Sequence, residues 1–303
     1  MAFLYYLEKI RLPGLNEFML GITYFGDEIA FLVVALILIW CADKRTGYYV
    51  LSVGFLGTIA NQFMKLWFRI PRPWVLDESF TILEPAREGA SGYSFPSGHT
   101  QSAVGTFGSI AYTAKSKLIR WLCIAAVILV PFSRMYIGVH TPLDVGVAAA
   151  MAAVLIFVLK PLTLSEDKRV FPVFLGIMVA VSVAFLCFVE LYPFPVDIDP
   201  HNMESGLKNA YTLLGSILGM VAVYTVDEKW LHFPTEAVWW AQILKVAIGL
   251  GLVLAVKSGL KAPIEDLMGN LMGRAVRYFL VVAVAGVAWP LSFRWFAKLG
   301  KKE

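Results

Sequence analysis

Long apolar stretches without charged residues recur along the chain, and they determine the predicted architecture. The clearest run from Val170 to Val189 and from Tyr278 to Phe293, close to the about 17–25 residues that a helix needs to cross hydrocarbon. The same pattern predicts nine spans, at about 28–41, 49–68, 99–114, 119–137, 142–160, 171–192, 209–226, 238–258 and 276–297. The predicted fold class is therefore an all-α, polytopic transmembrane helical bundle of about nine spans.

Composition agrees with a bilayer environment. Hydrophobic residues make up 58% of the 303 residues, above the about 45–50% that is usual for soluble domains. The first residues, MAFLYYLEKIRL, have too short an apolar run for a signal peptide and no small-residue cleavage site. We expect them to form an interfacial helix. Since no linker or low-complexity stretch separates the spans, a single integral membrane domain over residues 1–303 is predicted.

Charge and cysteine content argue against several functions. The net charge of +4 is small and the basic residues are scattered among loops, so a nucleic-acid partner is not expected. The three cysteines have neither CxxC spacing nor an even count, which gives no support for a disulfide framework or a zinc site. One acidic loop could hold a divalent cation, although a solvated loop is the preferred interpretation; its members are Asp197, Asp199, His201 and Glu204.

Three short polar blocks interrupt the apolar pattern, at Lys65–Pro73, Phe95–His99 and Ser133–Asp144. The first two flank one predicted loop, and two spans then return the chain to the same side, so all three blocks can meet at one membrane face. Ionisable groups at a membrane edge are costly and indicate function by default. Cations beside a candidate nucleophile favour phosphate chemistry.

The first block places two cations near a chain reversal. Lys65 closes a predicted span, and the prolines on either side of Arg72 prevent the helix from continuing. A guanidinium there suits bidentate contact with phosphate oxygens, while a lysine supplies a point charge. The alternative is that both side chains are interfacial anchors that extend towards lipid headgroups.

The second block predicts a tight entry into a helix. Ser97 is available as its cap, and the free backbone N–H groups after Gly98 would attract an anion. His99 lies at this helix start, where it could donate a proton to a leaving oxygen. Considered by itself, this histidine would be an ordinary polar surface residue.

The third block places a carboxylate four residues after a histidine. If a helix begins near Pro142, Asp144 lies one turn from His140 and can hold one imidazole nitrogen while the other faces a substrate. Arg134 could supply a further phosphate contact. The alternative is a surface helix pair that stabilises the fold by only a few tenths of a kcal/mol.

In this order and spacing, the blocks resemble the type 2 phosphatidic acid phosphatase superfamily, whose pattern is KxxxxxxRP, then PSGH, then SRxxxxxHxxxD. Every specified position is matched; the residues are Lys65, Arg72, Pro73, Pro96, Ser97, Gly98, His99, Ser133, Arg134, His140 and Asp144. The resemblance covers a phosphatase core at about 49–160, and the extra carboxy-terminal spans at about 171–297 lie outside it.

The resemblance implies a metal-independent phosphomonoesterase without a cofactor. His140 would attack phosphorus to form a phosphohistidine, Asp144 would orient it, and His99 would protonate the departing alcohol. The equatorial oxygens would be held by the remaining matched groups, which are Lys65, Arg72, Ser97, Gly98 and Arg134.

These resemblances leave the substrate open. A lipid phosphate is favoured, because a site at the membrane edge admits a headgroup while the chain stays in the bilayer. The span order is also similar to glucose-6-phosphatase, which acts on a sugar phosphate. Sphingoid-base phosphate phosphatases likewise carry extra carboxy-terminal spans, and the segment SRMYIGVHTPLD resembles that group. A transporter or a lipid-binding membrane protein is the alternative of another class. Gly215 and Gly219 form GxxxG, which would fit helix packing within the chain or a homodimer.

The side of the membrane is predicted from the basic residues. On the predicted spans one side carries thirteen Lys and Arg and the other twelve, or nine without Lys65, Arg72 and Arg134. Because cytoplasmic loops carry excess Lys and Arg, this favours an external amino terminus and a cytoplasmic carboxy-terminal tail. The candidate site would then lie on the extracytoplasmic face.

Overall fold

The computed structural model describes residues 1–300 except Ser91 and Asp197. Within those residues the chain is helical and forms no strand. The helices are α1 Ala2–Lys9, α2 Pro13–Thr23, α3 Glu28–Cys41, α4 Lys44–Phe68, α5 Pro73–Leu76, α6 Gly98–Thr113, α7 Lys117–Tyr136, α8 Pro142–Thr163, α9 Val170–Leu191, α10 Pro200–Val226, α11 Trp239–Gly259, α12 Lys261–Met268, α13 Asn270–Ala283 and α14 Phe293–Phe296.

Six helical segments of the described chain are long and apolar enough to cross a membrane. They are Lys117–Tyr136, Pro142–Thr163, Val170–Leu191, Pro200–Leu231, Trp239–Met268 and Asn270–Phe296. A seventh is added if the bent pair Pro13–Gly26 and Glu28–Cys41, which meet at 55°, counts as one span. The prediction of an all-α membrane protein is confirmed, but the count of about nine spans is not.

The difference arises at α4 and α6, which the sequence pattern counted as spans, and at α3, whose 14 residues count only together with α2. Helix α6 has only 16 residues, and α4 is long enough but carries polar side chains along its length. Several of these are buried inside the protein, including Ser52 and Asn61 on α4 and Gln101 and Thr106 on α6. Polar groups that face protein rather than lipid lower a helix's hydropathy without preventing its burial.

The described contacts divide the chain into two compact units. The first comprises Met1–Val34, Tyr49–Pro161 and Ile198–Met203, and the second comprises Ala35–Tyr48, Leu162–Asp197 and Glu204–Glu303. All eight predicted site residues belong to the first unit. The prediction of one domain remains a prediction.

In the first unit, α1 packs on the loop that follows α5. Leu4 and Leu7 of α1 are buried, and Leu4 belongs to one apolar cluster with Phe80 and Ile82. The Tyr5 hydroxyl donates to the Asp77 carboxylate at 2.8 Å. The amino-terminal helix therefore supports the loop between the first two polar blocks.

In the second unit, the GxxxG of α10 faces α13. A Cβ built on Gly215 would lie 2.0 Å from the Ala275 carbonyl oxygen, and one on Gly219 would lie 2.8 Å from Val282 Cβ. Only glycine allows so close an approach. Packing within the chain accounts for this motif, and a homodimer remains an untested prediction.

Candidate active site

The first polar block ends α4 and leaves two cations beside the segment 92–94. Lys65 lies in the last turn of α4, and its Nζ donates to the Tyr93 carbonyl at 2.5 Å. Arg72 precedes the first residue of α5, Pro73, and its Nε donates to the Gly92 carbonyl at 2.9 Å. Two backbone carbonyls of one loop thus orient both cations.

That loop is itself held by a residue from far along the chain. Gly92 has φ +78°, and the Asn202 side chain lies so close that a Cβ on this glycine would meet its Oδ1 at 2.5 Å. The backbone N–H of Tyr93 donates to Asn202 Oδ1 at 2.8 Å, and Asn202 Nδ2 donates to Asp199 at 2.6 Å. Asn202 therefore fixes the carbonyls that orient Lys65 and Arg72.

The second block forms the predicted helix start. Ser97 is the N-cap of α6, and its side chain accepts from the Thr100 N–H at 3.3 Å. The Ser97 N–H donates to the Asp144 carbonyl at 3.1 Å, which joins α6 to α8. The first-turn N–H groups after Gly98 form the kind of terminus that favours an anion.

His140 follows a turn that only glycine suits. Gly138 has φ +89°, and a Cβ there would meet Arg11 Nη2 at 2.8 Å. After this turn the His140 side chain is buried, and Arg72 Nη1 lies 2.9 Å from its Nε2. Since a guanidinium only donates, Nε2 accepts and the imidazole proton lies on Nδ1. The Nε2 lone pair therefore faces the cations.

The predicted contact between His140 and Asp144 is close but indirect. Nδ1 and Oδ2 are 3.6 Å apart, which is too long for a hydrogen bond. The Ser94 hydroxyl lies 2.7 Å from Asp144 Oδ2 and 3.4 Å from His140 Nδ1, and the Thr141 N–H also donates to Oδ2 at 2.7 Å. Direct orientation of the ring by the carboxylate is thus replaced, in this conformation, by a bridge through Ser94.

Arg134 lies near the end of α7 and points into the same cluster. It is buried, and its Nη1 donates to the Thr23 hydroxyl at 2.6 Å. Its Nε is buried without a hydrogen-bond partner among the described residues. A buried, unsatisfied donor is costly unless something binds to it, so this nitrogen is available to an anionic ligand.

His99 pairs with a carboxylate from outside the three blocks. Its Nε2 lies 2.7 Å from Asp27 Oδ1, and the two side chains are 22% and 37% exposed. Asp27 occupies the bend between α2 and α3, after the short turn Tyr24–Gly26. A Cβ on Gly26 would lie 2.8 Å from the His99 carbonyl oxygen, so glycine allows this bend to approach α6.

The charges of the cluster act on His140. Burial, with the neighbouring Arg72 guanidinium, holds the pKa of the His140 imidazole well below its usual range, and Arg134 and Lys65 act in the same direction. Burial lowers the pKa of Arg72 to about 10, against the opposing effect of Asp144. At neutral pH the site thus contains a neutral imidazole beside a charged guanidinium.

The eight predicted site residues therefore meet in one cluster, and the structure adds others that the motifs did not indicate. The residues that sequence reasoning missed are Thr23, Asp27, Ser94 and Asn202. No group of His, Cys, Asp and Glu arranged to hold a metal occurs in the described part of the chain. Asp197 of the proposed acidic loop lies outside that part.

The described chain is helical, has helices of bilayer length and contains a buried cluster of cations and histidines. These features are those of a membrane protein with a site for phosphate chemistry. Comparison with known families agrees: the PAP2 superfamily matches residues 45–168, and the transmembrane extension of PAP2 superfamily phosphatases matches residues 211–302. The chain belongs to the PAP2 superfamily and is a membrane phosphatase.

Its relatives are named for different substrates. The chain is 30% identical over 165 residues to phosphatidylglycerophosphatase B of Bacillus subtilis, covering 50% of this chain and 76% of the relative. It is 27% identical over 247 residues to a probable sphingosine-1-phosphate phosphatase of Dictyostelium discoideum, covering 75% of this chain and 56% of the relative. A crystal structure of a PAP2-type phosphatidylglycerolphosphate phosphatase from Bacillus subtilis is similar, with TM-score 0.45, 27% identity and coverage of 55% of this chain and 86% of that one.

Proposed function

We propose that this protein hydrolyses a lipid phosphate monoester through a phosphohistidine formed on His140. The main support is the position of His140. Its ring is buried and neutral, and its Nε2 lone pair faces the Arg72 guanidinium at 2.9 Å. A phosphate bound by that guanidinium would bring phosphorus next to Nε2.

The chemistry divides into two displacements. In the first, the Nε2 lone pair forms a P–N bond while the P–O ester bond breaks, and His99 gives its proton to the leaving alkoxide. In the second, His99 takes a proton from water, the resulting oxygen attacks phosphorus, and the P–N bond breaks to release phosphate and neutral His140. Burial and the Arg134 guanidinium lower the pKa of the His99 imidazole to about 4, against the opposing effect of Asp27. The first step therefore needs the negative charge of the bound phosphate, together with Asp27, to protonate this ring.

The remaining groups would hold the transferring phosphoryl oxygens. Arg134 Nε is available because it has no partner among the described residues, and the α6 terminus after Ser97 offers backbone donors. Lys65 and Arg72 must exchange contacts with Tyr93 and His140 for contacts with phosphate. Preorganised charge of this kind is the main contribution expected in phosphoryl transfer.

A lipid substrate is supported by the helices that surround the site and by the relatives. Both relatives above are named for lipid phosphates. The α4 residues Phe63 and Trp67, two positions before and after Lys65, are exposed and stacked with ring centroids 5.8 Å apart, as expected of side chains at a membrane interface. The alternative is a sugar phosphate. We further propose that the site opens to the extracytoplasmic face.

The test is phosphate release by the full chain in detergent, with chelator present. Substrates are phosphatidylglycerophosphate, sphingosine 1-phosphate, phosphatidic acid and glucose 6-phosphate. Release by the wild type and its loss in His140→Ala would support the proposal. The control is His232→Asn, because His232 is exposed and asparagine tolerates its φ of +44°.

Release from glucose 6-phosphate alone would replace the lipid by the sugar phosphate. Release that persists in His140→Ala would refute the nucleophile. No release from any substrate, while the protein binds phosphate, would favour the transporter or lipid-binding alternative.

A further inference from the structure

His140 follows the end of α7, and this helix end is completed by a side chain from elsewhere in the first unit. The last four carbonyls of a helix have no partner within the helix. In α7 the first three of them accept from the backbone of the turn that follows, at 2.9 to 3.1 Å; they belong to Ser133, Arg134 and Met135. The fourth carbonyl, that of Tyr136, accepts from a distant arginine.

That arginine is Arg11, in the segment between α1 and α2. Its Nε donates to the Tyr136 carbonyl at 3.1 Å, and its Nη1 donates to the Thr81 carbonyl at 2.8 Å. A cation at the carboxyl end of a helix is also favoured by the helix dipole. Arg11 therefore completes the end of α7 and connects it to the loop that follows α5.

Both partners of Arg11 are held by further contacts. Tyr136 is fully buried, and its hydroxyl donates to Asn16 Oδ1 at 2.8 Å. The Thr81 N–H donates to Glu8 Oε1 at 3.2 Å. Because its two acceptors are fixed in this way, the Arg11 guanidinium has a defined position.

The turn between Tyr136 and His140 packs against this guanidinium. The turn bends at Gly138, where φ is +89°, and a Cβ on this glycine would lie 2.8 Å from Arg11 Nη2. The same Cβ would lie 3.0 Å from the ring of Phe80, whose centroid is 5.6 Å from Arg11 Cζ. The path of the turn therefore depends on where the guanidinium lies.

The later carbonyls of the turn lead directly to the nucleophile. The Ile137 carbonyl accepts from the Leu83 N–H at 3.1 Å, and the Val139 carbonyl accepts from Arg72 Nη1 at 3.0 Å. The same Arg72 nitrogen lies 2.9 Å from His140 Nε2. A displacement at the start of the turn would therefore alter the position of Nε2 relative to Arg72.

We infer that Arg11 is a positioning residue, which keeps His140 Nε2 in line with phosphorus by fixing the turn before it. The inference rests on the proposed function, because it takes His140 as the nucleophile. Arg11 lies outside the three polar blocks and 125 positions before Tyr136, and it acts through the backbone rather than on the substrate. A misplacement of about 1 Å can slow a reaction about 100-fold.

The test measures kcat and KM of two variants of the full chain in detergent, with p-nitrophenyl phosphate and with a lipid phosphate that the wild type hydrolyses. Arg11→Ala should lower kcat roughly 10- to 100-fold on both substrates, because a displaced nucleophile slows P–N bond formation whatever the leaving group. KM should change less, since the phosphate-binding side chains are kept. Arg11→Lys should recover only part of kcat, because an ammonium lacks the fork that spans two carbonyls.

Rescue by free guanidinium separates positioning from stability. Arg11 is half-buried, so its removal leaves a space that solvent can reach. Millimolar guanidinium chloride should raise kcat of Arg11→Ala, measured well below the Tm, whereas sodium chloride at the same concentration should not. The control is Lys9→Gln, because Lys9 is an exposed cation at the end of α1; its kcat should equal that of the wild type.

A residue that only stabilises the fold would lower the Tm and leave kcat per folded protein unchanged. Wild-type kcat in Arg11→Lys would therefore overturn the inference, even if Arg11→Ala failed to fold. So would a folded Arg11→Ala whose kcat guanidinium does not raise. Phosphate release by the wild type that persists in His140→Ala, or no release at all, would instead overturn the proposed function.

Discussion

Replacing Asp27 by asparagine should slow the hydrolysis of alkyl phosphates while sparing phosphates with a good leaving group. The Asp27 carboxylate lies 2.7 Å from His99 Nε2. An amide there keeps the size of the side chain but removes the charge that favours the protonated ring. Proton donation matters for an alkoxide and hardly at all for a nitrophenolate, so the loss should depend on the leaving group.

The expected loss of kcat/KM in Asp27→Asn follows from the contact between Asp27 and His99. A hydrogen bond to a charged group contributes about 1.5–3 kcal/mol. The Asp27 side chain is 37% exposed, so solvent reduces its contribution to about 1–1.5 kcal/mol. This corresponds to a roughly 5- to 10-fold loss of kcat/KM for an alkyl phosphate, and to a smaller loss for p-nitrophenyl phosphate.

The assay is kcat/KM for phosphate release from both substrates, because this constant covers the steps up to the departure of the alcohol. Glu17→Gln is the matched control, since Glu17 is an exposed carboxylate on the preceding helix. Equal losses on both substrates would refute the assignment of Asp27 to the acid step, and so would a loss confined to p-nitrophenyl phosphate.

Other contacts of the site give three more expected outcomes. Asn202→Leu removes the acceptor for the Tyr93 N–H. It should raise KM and the inhibition constant of vanadate roughly 2- to 10-fold with little change in kcat. An unchanged KM would contradict the inference that Asn202 orients Lys65 and Arg72 through the backbone of this loop. Ser94→Ala breaks the bridge to Asp144 and should lower kcat by about fivefold, measured at saturating substrate; full activity would show that the bridge is dispensable. The pKa of His140 in the folded protein lies below the ordinary 6.5, so the unfolded chain binds more protons than the folded one as the pH falls below about 6.5, and stability is lost there. Between neutral and acidic pH, the Tm in detergent should therefore fall less in His140→Asn than in the wild type. An identical change of Tm with pH in the two proteins would contradict the lowered pKa.

The spacing of the three polar blocks correctly predicted that their residues lie close together, whereas the predicted number of spans is not confirmed. Lys65, Arg72, His99, Arg134 and His140 are separated by up to 75 positions. The alternation of loops and helices was nevertheless enough to predict that they meet, and all five lie together in the first unit. Each block fixes its own backbone locally, through a helix end, a cap or a proline.

The missed residues are those whose partners are far away in the chain. Asp27 and Asn202 contact His99 and Tyr93 across 72 and 109 positions, and neither belongs to a recognisable local pattern. From the sequence, Asp27 is an ordinary residue before a helix and Asn202 is part of a polar loop. Ser94 is adjacent to the second motif, but its segment has no helical periodicity from which the direction of the Ser94 side chain could be predicted.

The predicted span count is not confirmed, for a different physical reason. Apolar content predicts burial, but it does not separate burial in lipid from burial in protein. Helices α4 and α6 bury polar side chains inside the protein, among them Asn61 and Gln101. These buried polar residues weaken the membrane signal of both helices.

Trapping the covalent intermediate would test the phosphohistidine mechanism. The wild type is mixed with a radiolabelled lipid phosphate that it hydrolyses, quenched within one turnover, and digested for mass spectrometry. We expect an acid-labile, alkali-stable phosphoryl group on His140, formed with chelator present and absent from His140→Ala. Hydrolysis without any labelled protein, or a label on another residue, would contradict the phosphohistidine mechanism.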